Sequence, residues 1–88
     1  MFKLKNKYVM SIERAKKFAL KESDKHCYLI ENDESQLSLV LRNHRLIIDF
    51  KENVVYYETA QAYYDAYEVM TYCRKLENDK YEKVNKSS

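Results

Sequence analysis

The 88-residue chain contains neither glycine nor proline, although proteins on average carry about 7% and 5% of these residues. Loops of the GxGxxG and Walker kinds need glycine, because backbone amides can approach a phosphate closely only where no Cβ intervenes. Nucleotide-binding loops of these kinds are therefore excluded. The absence of both residues, beside abundant Lys, Asn and Tyr, is typical of an AT-rich coding source such as a phage or a mobile element.

Long apolar runs and clustered metal ligands are also missing. No run approaches the roughly 18 apolar residues that a membrane span needs, and the first 17 residues lack the apolar core of a secretory signal. Cys27 and Cys73 form no CxxC pair, and two histidines with two cysteines at such spacing rarely hold a metal. We therefore expect a cytoplasmic protein (in the host cytoplasm if the chain is viral) with buried, reduced thiols rather than a disulfide, no metal and no cofactor.

With 45% apolar and 34% charged residues, the chain has the composition of one globular domain. We place this α+β domain at residues 1–78 and expect residues 79–88 to fray as a polar tail, because they offer little to bury. The formal net charge of +2 is unevenly spread. Residues 1–25 hold eight Lys or Arg against three Asp or Glu, so the amino-terminal quarter is the basic part.

The hydrophobic pattern predicts an α+β fold: an antiparallel β-meander of three to four strands, flanked by an N-terminal and a C-terminal helix. Residues 26–31 read as a strand, and the alternation in residues 1–10 is compatible with an extra short strand. Ser11 and Thr59 are the expected N-caps of helices over about residues 12–22 and 60–76. Each helix has one apolar face, formed by Ile12, Ala15, Phe18 and Ala19 in the first and by Ala62, Tyr63, Ala66, Val69, Met70 and Cys73 in the second.

Residues 37–57 carry most of the predicted meander. A two-residue loop at Asn43 and His44 would bring together three core pairs across the first hairpin: Leu41 with Leu46, Leu39 with Ile48, and Leu37 with Phe50. A turn at residues 51–53 would then pair Phe50 with Val55 and Ile48 with Tyr57. In this register Arg42 lies directly opposite Arg45, and like charges in that position repel each other.

The cationic tip of this hairpin has two interpretations. Arg42, Arg45 and a protonated His44 could together clamp a phosphate or a carboxylate. Alternatively, the long arginine side chains simply extend into water.

The first helix carries a second group of cations. Arg14, Lys17 and Lys21 recur at helical spacing opposite the apolar face, where they would either contact a nucleic-acid backbone or form a solvated surface. The order of helix, meander and helix is similar to that of the double-stranded RNA-binding domain and of small histidine-dependent RNase toxins of toxin–antitoxin systems. The glycine, proline and lysine-cluster motifs of those families are absent here, so the resemblance transfers no residue roles.

On the second helix, Tyr64, Asp65, Glu68 and Tyr72 are predicted to lie opposite the buried stripe. Tyrosine supplies rigid apolar area with a hydrogen-bonding tip, so these residues indicate a partner-binding surface, although nine tyrosines cannot all be buried. The leading hypothesis is a small protein-binding module, an inhibitor or regulator from a phage or mobile element that acts by surface contact. A homodimer is compatible with the same surface.

Catalysis finds little support in the sequence. His26 and Cys27 would point to opposite faces of a strand, and His44 has no carboxylate at helical or cross-strand spacing. We therefore expect no enzymatic activity. The alternative to protein binding is nucleic-acid binding through the first helix and the hairpin tip, and a single-histidine RNase relying on His44 is the weaker third hypothesis.

Overall fold

The computed structural model describes residues 1–74, apart from the side chain of Lys25. Two helices lie against one face of a five-stranded antiparallel sheet. The helices are α1 (Ile12–Lys21) and α2 (Tyr63–Cys73), with short 3-10 turns after α1 at Ser23–Lys25 and before α2 at Ala60–Ala62. The strands are β1 (Phe2–Lys5), β2 (Tyr28–Glu31), β3 (Gln36–Leu41), β4 (His44–Asp49) and β5 (Val54–Tyr57).

The predicted α+β fold is confirmed, with five strands where the sequence indicated three to four. The spatial order is β1-β5-β4-β3-β2, so strands β2 to β5 form the meander and β1 pairs with β5. The short N-terminal strand therefore exists and occupies one edge of the sheet. The predicted domain limit at residue 78 and the tail at residues 79–88 lie outside the described residues.

Helix α1 begins as its sequence predicts. The Ser11 hydroxyl accepts a hydrogen bond from the Arg14 backbone N–H at 3.4 Å, and Glu13 lies in the first turn. Ala15 and Phe18 are fully buried, while Ile12 and Ala19 pack partly against the same core. The helix ends at Lys21, where the Glu22 backbone N–H bonds back to Phe18 O at 3.0 Å.

Helix α2 is shorter than predicted at both ends. The Thr59 side chain makes no capping hydrogen bond, and a 3-10 turn precedes the first α-helical residue, Tyr63. At the other end Arg74 leaves the helix with an extended backbone and bridges to Met10, while Ser11 N–H donates to Cys73 O at 2.8 Å. This pairing with the chain before α1 stops the helix at Cys73. Within residues 1–74, no helix is long and apolar enough to cross a membrane.

The core lies between the helices and one face of the sheet, here called the helix face. Alternate strand residues point to this face and are buried, as the period-two pattern predicts. They are Leu37, Leu39 and Leu41 in β3, Leu46 and Ile48 in β4, and Val55 and Tyr57 in β5. The intervening residues form the opposite face, here called the open face, which no helix covers within the described part of the chain.

The first hairpin has a different register from the predicted one. The loop consists of Arg42 and Asn43, with φ of 52° and 70°, so His44 is the first residue of β4 and pairs with Leu41. The observed pairs include Leu39 with Leu46 and Leu37 with Ile48. Relative to the prediction, every partner has moved by two residues, which keeps the side chains of β3 and β4 on their predicted faces. Arg45 lies opposite Val40, so the predicted Arg42–Arg45 pair is wrong.

The second hairpin moves by two residues as well. Ile48 pairs with Val55 and Leu46 with Tyr57, and Phe50 belongs to the loop rather than to a strand. Asp49 holds this loop, because its Oδ1 accepts a 2.8 Å hydrogen bond from the Glu52 backbone N–H. The loop is therefore one residue longer than the predicted turn at residues 51–53.

A polar network connects this loop to the segment between β1 and α1. The Asn53 amide, at φ 62°, donates to Asn6 O at 2.7 Å and to Tyr8 O at 2.8 Å, and its oxygen accepts from Met10 N–H at 3.2 Å. Buried Asn6 in turn donates to Met70 O at 3.4 Å. These bonds satisfy backbone groups that have no strand partner, and they fix the path from β1 into α1.

Cys27 and Cys73 are both buried as free thiols, which confirms the predicted burial. Burial raises the pKa of Cys27, and the nearby charge of Glu22 raises it further. Burial also raises the pKa of Cys73, to about 12. Both residues therefore act as small apolar core side chains.

Candidate functional site

Asp65 on α2 is the centre of a group of three ionisable side chains that joins this helix to the β3–β4 hairpin. Its side chain is buried, with the residue only 5% exposed, and its two oxygens bind two different partners from the β3–β4 hairpin. Arg42 Nη1 lies 3.0 Å from Oδ1, and His44 Nδ1 lies 2.6 Å from Oδ2. The prediction that Asp65 belongs to an exposed binding surface is therefore wrong.

The sequence carries a signal for this burial. Asp65 follows Ala62 by three residues and precedes Val69 by four, so it falls within the apolar stripe of α2. Ala62 and Val69 are both fully buried. A carboxylate in such a stripe needs cationic or hydrogen-bonding partners, and the hairpin turn supplies them.

The contact between His44 and Asp65 fixes the orientation of the imidazole ring. His44 Nδ1 lies 2.6 Å from Asp65 Oδ2, within hydrogen-bond distance, so Nδ1 points at the carboxylate. This arrangement, with Nε2 left for other contacts, is the one that orients histidine in acid–base sites. Within residues 1–74, however, no hydroxyl or thiol hydrogen-bonds to His44. The described residues therefore show a hairpin turn docked on α2, with no nucleophile bonded to the histidine. The premise that His44 has no carboxylate partner is corrected, because α2 provides one.

The turn itself is strained. Arg42 and Asn43 both adopt left-handed conformations, the geometry that a two-residue type I′ loop requires and that glycine adopts most easily. For arginine this conformation costs about 1–2 kcal/mol. The bonds from Arg42 and His44 to Asp65 offset that cost and dock the hairpin against α2.

Arg45 does not join this group. It lies on the open face, next to Val40, and lines a groove of about 450 Å³ together with Tyr28, Asn43 and Glu58. A smaller cavity of about 40 Å³ adjoins it and shares Asn43, Arg45 and Glu58, with His44 and Thr59 on its other side. The predicted anion clamp of Arg42, His44 and Arg45 is therefore not assembled, since two of its members bind Asp65.

The cations of α1 are partly engaged within the fold. Arg14 and Lys21 lie over the ring of Tyr72, at 5.2 and 5.3 Å from its centroid, which is within the range of cation–π attraction. Tyr72 also meets Phe18 edge to face at 5.3 Å and is half-buried. Tyr72 therefore joins the two helices instead of facing a partner, which corrects its predicted exposure. Lys17 is exposed, as predicted.

Tyr64 and Glu68 are exposed on α2, as predicted, and Tyr64 belongs to a larger aromatic group. Tyr63 is the hub, with ring centroids 5.4 Å from Tyr64, 6.2 Å from Tyr67 and 6.1 Å from Tyr57. Tyr57 in turn stacks on Phe2 of β1 at 5.4 Å. We call Phe2, Tyr63, Tyr64 and Tyr67 the aromatic surface. Sequence analysis did not include Phe2 or Tyr67 in the partner-binding surface. The contact of Phe2 with Tyr57 depends on β1 pairing with β5, whereas Tyr67 lies one helical turn after Tyr63 and could have been found from helical spacing.

Three rings of the aromatic surface are open to solvent. Tyr64 is 82% exposed, Phe2 50% and Tyr67 48%. Buried Tyr57 and half-buried Tyr63 connect them from below, so the exposed rings rest on a rigid base. Exposed apolar rings that are linked in this way favour association with another molecule.

The residues that the structure describes contain no group of three or more side chains arranged to hold a metal ion. No protein-family model matches the chain, and neither a curated protein nor a solved structure is significantly similar to it. No similar solved structure therefore supports the resemblance in element order that the sequence indicated. The function is argued from the geometry of the site.

Proposed function

We propose that this chain is a small protein-binding module that acts through the aromatic surface. The observation that carries the proposal is the set of exposed rings at Phe2, Tyr64 and Tyr67, which are connected through Tyr57 and Tyr63. Aromatic side chains contribute strongly to protein interfaces, because they bury large areas at a low entropic cost. Glu68, one turn after Tyr64 and exposed, adds a polar group to the rim.

The free edge of β1 adjoins this surface and supports the same function. β1 pairs with β5 on one side, and its other edge has no strand partner within residues 1–74. An extended segment of a partner could add a strand there through backbone hydrogen bonds. Phe2 and Leu4 would flank the added strand on the helix face, so the partner would place apolar side chains there, against the rings. A partner segment that pairs with β1 in this way would not be available for other contacts of the partner. An inhibitor or regulator can act by this kind of pairing.

Alanine variants test this proposal against a matched control. Tyr64→Ala with Tyr67→Ala removes two exposed rings, whereas Tyr28→Ala removes a ring that is 56% exposed on the other face of the sheet. The three proteins, each tagged, would capture partners from a lysate of the native source, and affinity would then be measured with the purified partner by calorimetry. We expect the double variant to lose at least about 2 kcal/mol of binding, in the range of interface hot spots.

The Tyr28→Ala control shows whether a loss of partner binding is specific to the aromatic surface. Tyr28→Ala should bind the partner as the unaltered chain does, and all three proteins should melt cooperatively. Equal binding by the double variant and the unaltered chain would contradict the proposal. So would a loss in the Tyr28 variant that matches the loss in the double variant.

A further inference from the structure

The open face of the sheet carries cations and tyrosines side by side. Lys3 and Lys5 of β1 and Arg45 of β4 project to this face, as do Tyr56 of β5 and Tyr28 of β2. The register places Lys3 next to Tyr56 and Tyr28 next to Val40, which itself pairs with Arg45. No helix covers these residues in the described part of the chain, and Tyr28 is 56% exposed. This composition differs from that of the aromatic surface, where cations are absent.

The groove of about 450 Å³ lies at one end of this face. Its lining consists of Tyr28, Val40, Asn43, Arg45 and Glu58. The volume is within the range of small-ligand sites. Three of the five side chains are polar and one is a tyrosine, so the lining fits a ligand that has both a flat ring and hydrogen-bonding groups.

Arg45 and Glu58 are available to such a ligand. Each lies one residue beyond the last β4–β5 pair, Leu46 with Tyr57. Among residues 1–74 they form no ion pair with each other, and the hydrogen bonds of the fold do not use either side chain. The other carboxylate of the open face, Asp49, is already bonded to Gln36 and to the Glu52 N–H. Because a hydrogen-bonded carboxylate keeps its charge, the open face has three cations against two carboxylates, a net charge of +1: Lys3, Lys5 and Arg45 against Asp49 and Glu58.

We propose that the open face binds single-stranded nucleic acid, with one nucleotide seated in the groove. The Arg45 guanidinium binds a phosphodiester oxygen, the Tyr28 ring stacks on the base, and Glu58 accepts a hydrogen bond from a base N–H or a ribose hydroxyl. From the groove, the nucleic acid continues along the open face toward Tyr56 and Lys3. A single strand is required, because bases in a duplex are stacked on each other and cannot meet the tyrosine. This inference uses a surface distinct from the aromatic surface and does not depend on the proposed protein partner.

The test is fluorescence anisotropy with labelled 12-nucleotide single strands of RNA and DNA, and with the matching duplex, at low ionic strength. Arg45→Ala and Tyr28→Ala are the informative variants. Lys17→Ala is the matched control, since it removes an exposed cation from α1. Thermal melting checks that all variants fold, which is expected because these side chains are exposed.

We expect saturable binding of a single strand that weakens about tenfold or more in Arg45→Ala and in Tyr28→Ala, the size expected from one stacked base. Arg45→Ala should also reduce the slope of log Kd against log salt by about 0.7, the loss of one phosphate contact. Lys17→Ala should change Kd less than twofold. The RNA and DNA arms show which sugar is preferred. Absence of binding to either strand, equal loss in Lys17→Ala, tighter binding of the duplex, or a protein partner that needs Tyr28 would overturn the proposal.

Discussion

Arg42 Nη1 lies 3.0 Å from the Asp65 carboxylate, although the two residues are 23 positions apart in sequence. Asp65 is buried in the apolar stripe of α2, so its carboxylate requires a cationic or hydrogen-bonding partner. Arg42 adopts a left-handed conformation, and its bond to Asp65 offsets the cost of that conformation. This pair, with His44, joins the hairpin to the helix. It also shows that the two arginines of the hairpin have different roles, since Arg45 lies on the open face.

Replacing these arginines separately tests that difference. Arg42→Ala should cost about 1–2 kcal/mol of unfolding free energy, because it removes one partner of a buried carboxylate while half of the arginine side chain was already solvated. Arg45→Ala should change stability by less than about 0.5 kcal/mol, as surface substitutions usually do. Urea unfolding of both variants measures the difference. Equal effects of the two substitutions would show that the hairpin register described here is wrong.

The core can be tested at two of its fully buried strand positions, Leu39 and Ile48. Leu39→Ala and Ile48→Ala should each cost roughly 2–4 kcal/mol, because both side chains are completely buried and truncation leaves a cavity. Leu20→Ala provides the control, since Leu20 is largely exposed on α1 and should be close to neutral. Denaturant melts followed by circular dichroism give these values. A small effect at Leu39 together with a large one at Leu20 would refute the assignment of the core face.

Asp49 predicts a specific loss of stability in acid. The hydrogen bond from the Glu52 backbone N–H, and then that from the Gln36 amide, lower the pKa of the Asp49 carboxyl. The unfolded chain therefore binds this proton more tightly than the folded one. Stability from Asp49 is complete above the unfolded pKa of about 4 and is lost as pH falls through the folded value.

Asp49→Asn should accordingly be less stable than the unaltered chain at neutral pH. The difference in unfolding free energy between the two proteins should become smaller below about pH 4. Unfolding free energies at a series of pH values measure this. Asp24→Asn, at an exposed position in the 3-10 turn after α1, serves as the control. If the difference in unfolding free energy between Asp49→Asn and the unaltered chain stayed constant down to about pH 2, the hydrogen-bonded carboxylate would not be the source of that stability.

The two thiols should be unreactive in the native protein. Thiolate is the reactive form, and burial raises the pKa of Cys73 to about 12 and raises that of Cys27 as well. A native-state titration with a thiol reagent at about pH 8 should be slow for both thiols, and slower for Cys73, which is completely buried, than for Cys27. The same titration in denaturant should find both thiols at once. A fast phase in the native protein would show that one of them is exposed.

Sequence patterns predicted the fold well because alternation determines which face each strand residue occupies. Leu37, Leu39, Leu46 and Ile48 all lie on the predicted side of the sheet. Register was harder to predict, because a shift of two residues preserves every face and leaves the hydrophobic pattern equally satisfied. Asn43 favours a left-handed turn position, but it belongs both to the predicted loop of Asn43 and His44 and to the observed loop of Arg42 and Asn43. The contact of Arg42 and His44 with Asp65 therefore decides between the two registers.

The candidate site was predictable only in part. Tyr64 and Glu68 are exposed because helical spacing places them away from the core, and spacing alone shows this. The burial of Asp65 was predictable from its spacing to Ala62 and Val69, but its partners were not, because they come from a distant turn. Tyr72 was misplaced because it contacts residues of α1. The proximity of Phe2 to Tyr57 requires β1 to pair with β5, and no local signal specifies that pairing.

The most direct test of the proposed function is photo-crosslinking at single positions. A photoreactive phenylalanine analogue would replace Tyr64, Tyr67 or Tyr28, one at a time, and each protein would be irradiated in a lysate of the native source. The proposal predicts one discrete crosslinked protein from positions 64 and 67, competed by the unlabelled chain, and no such product from position 28. The same product from position 28 alone, with none from positions 64 and 67, would contradict it.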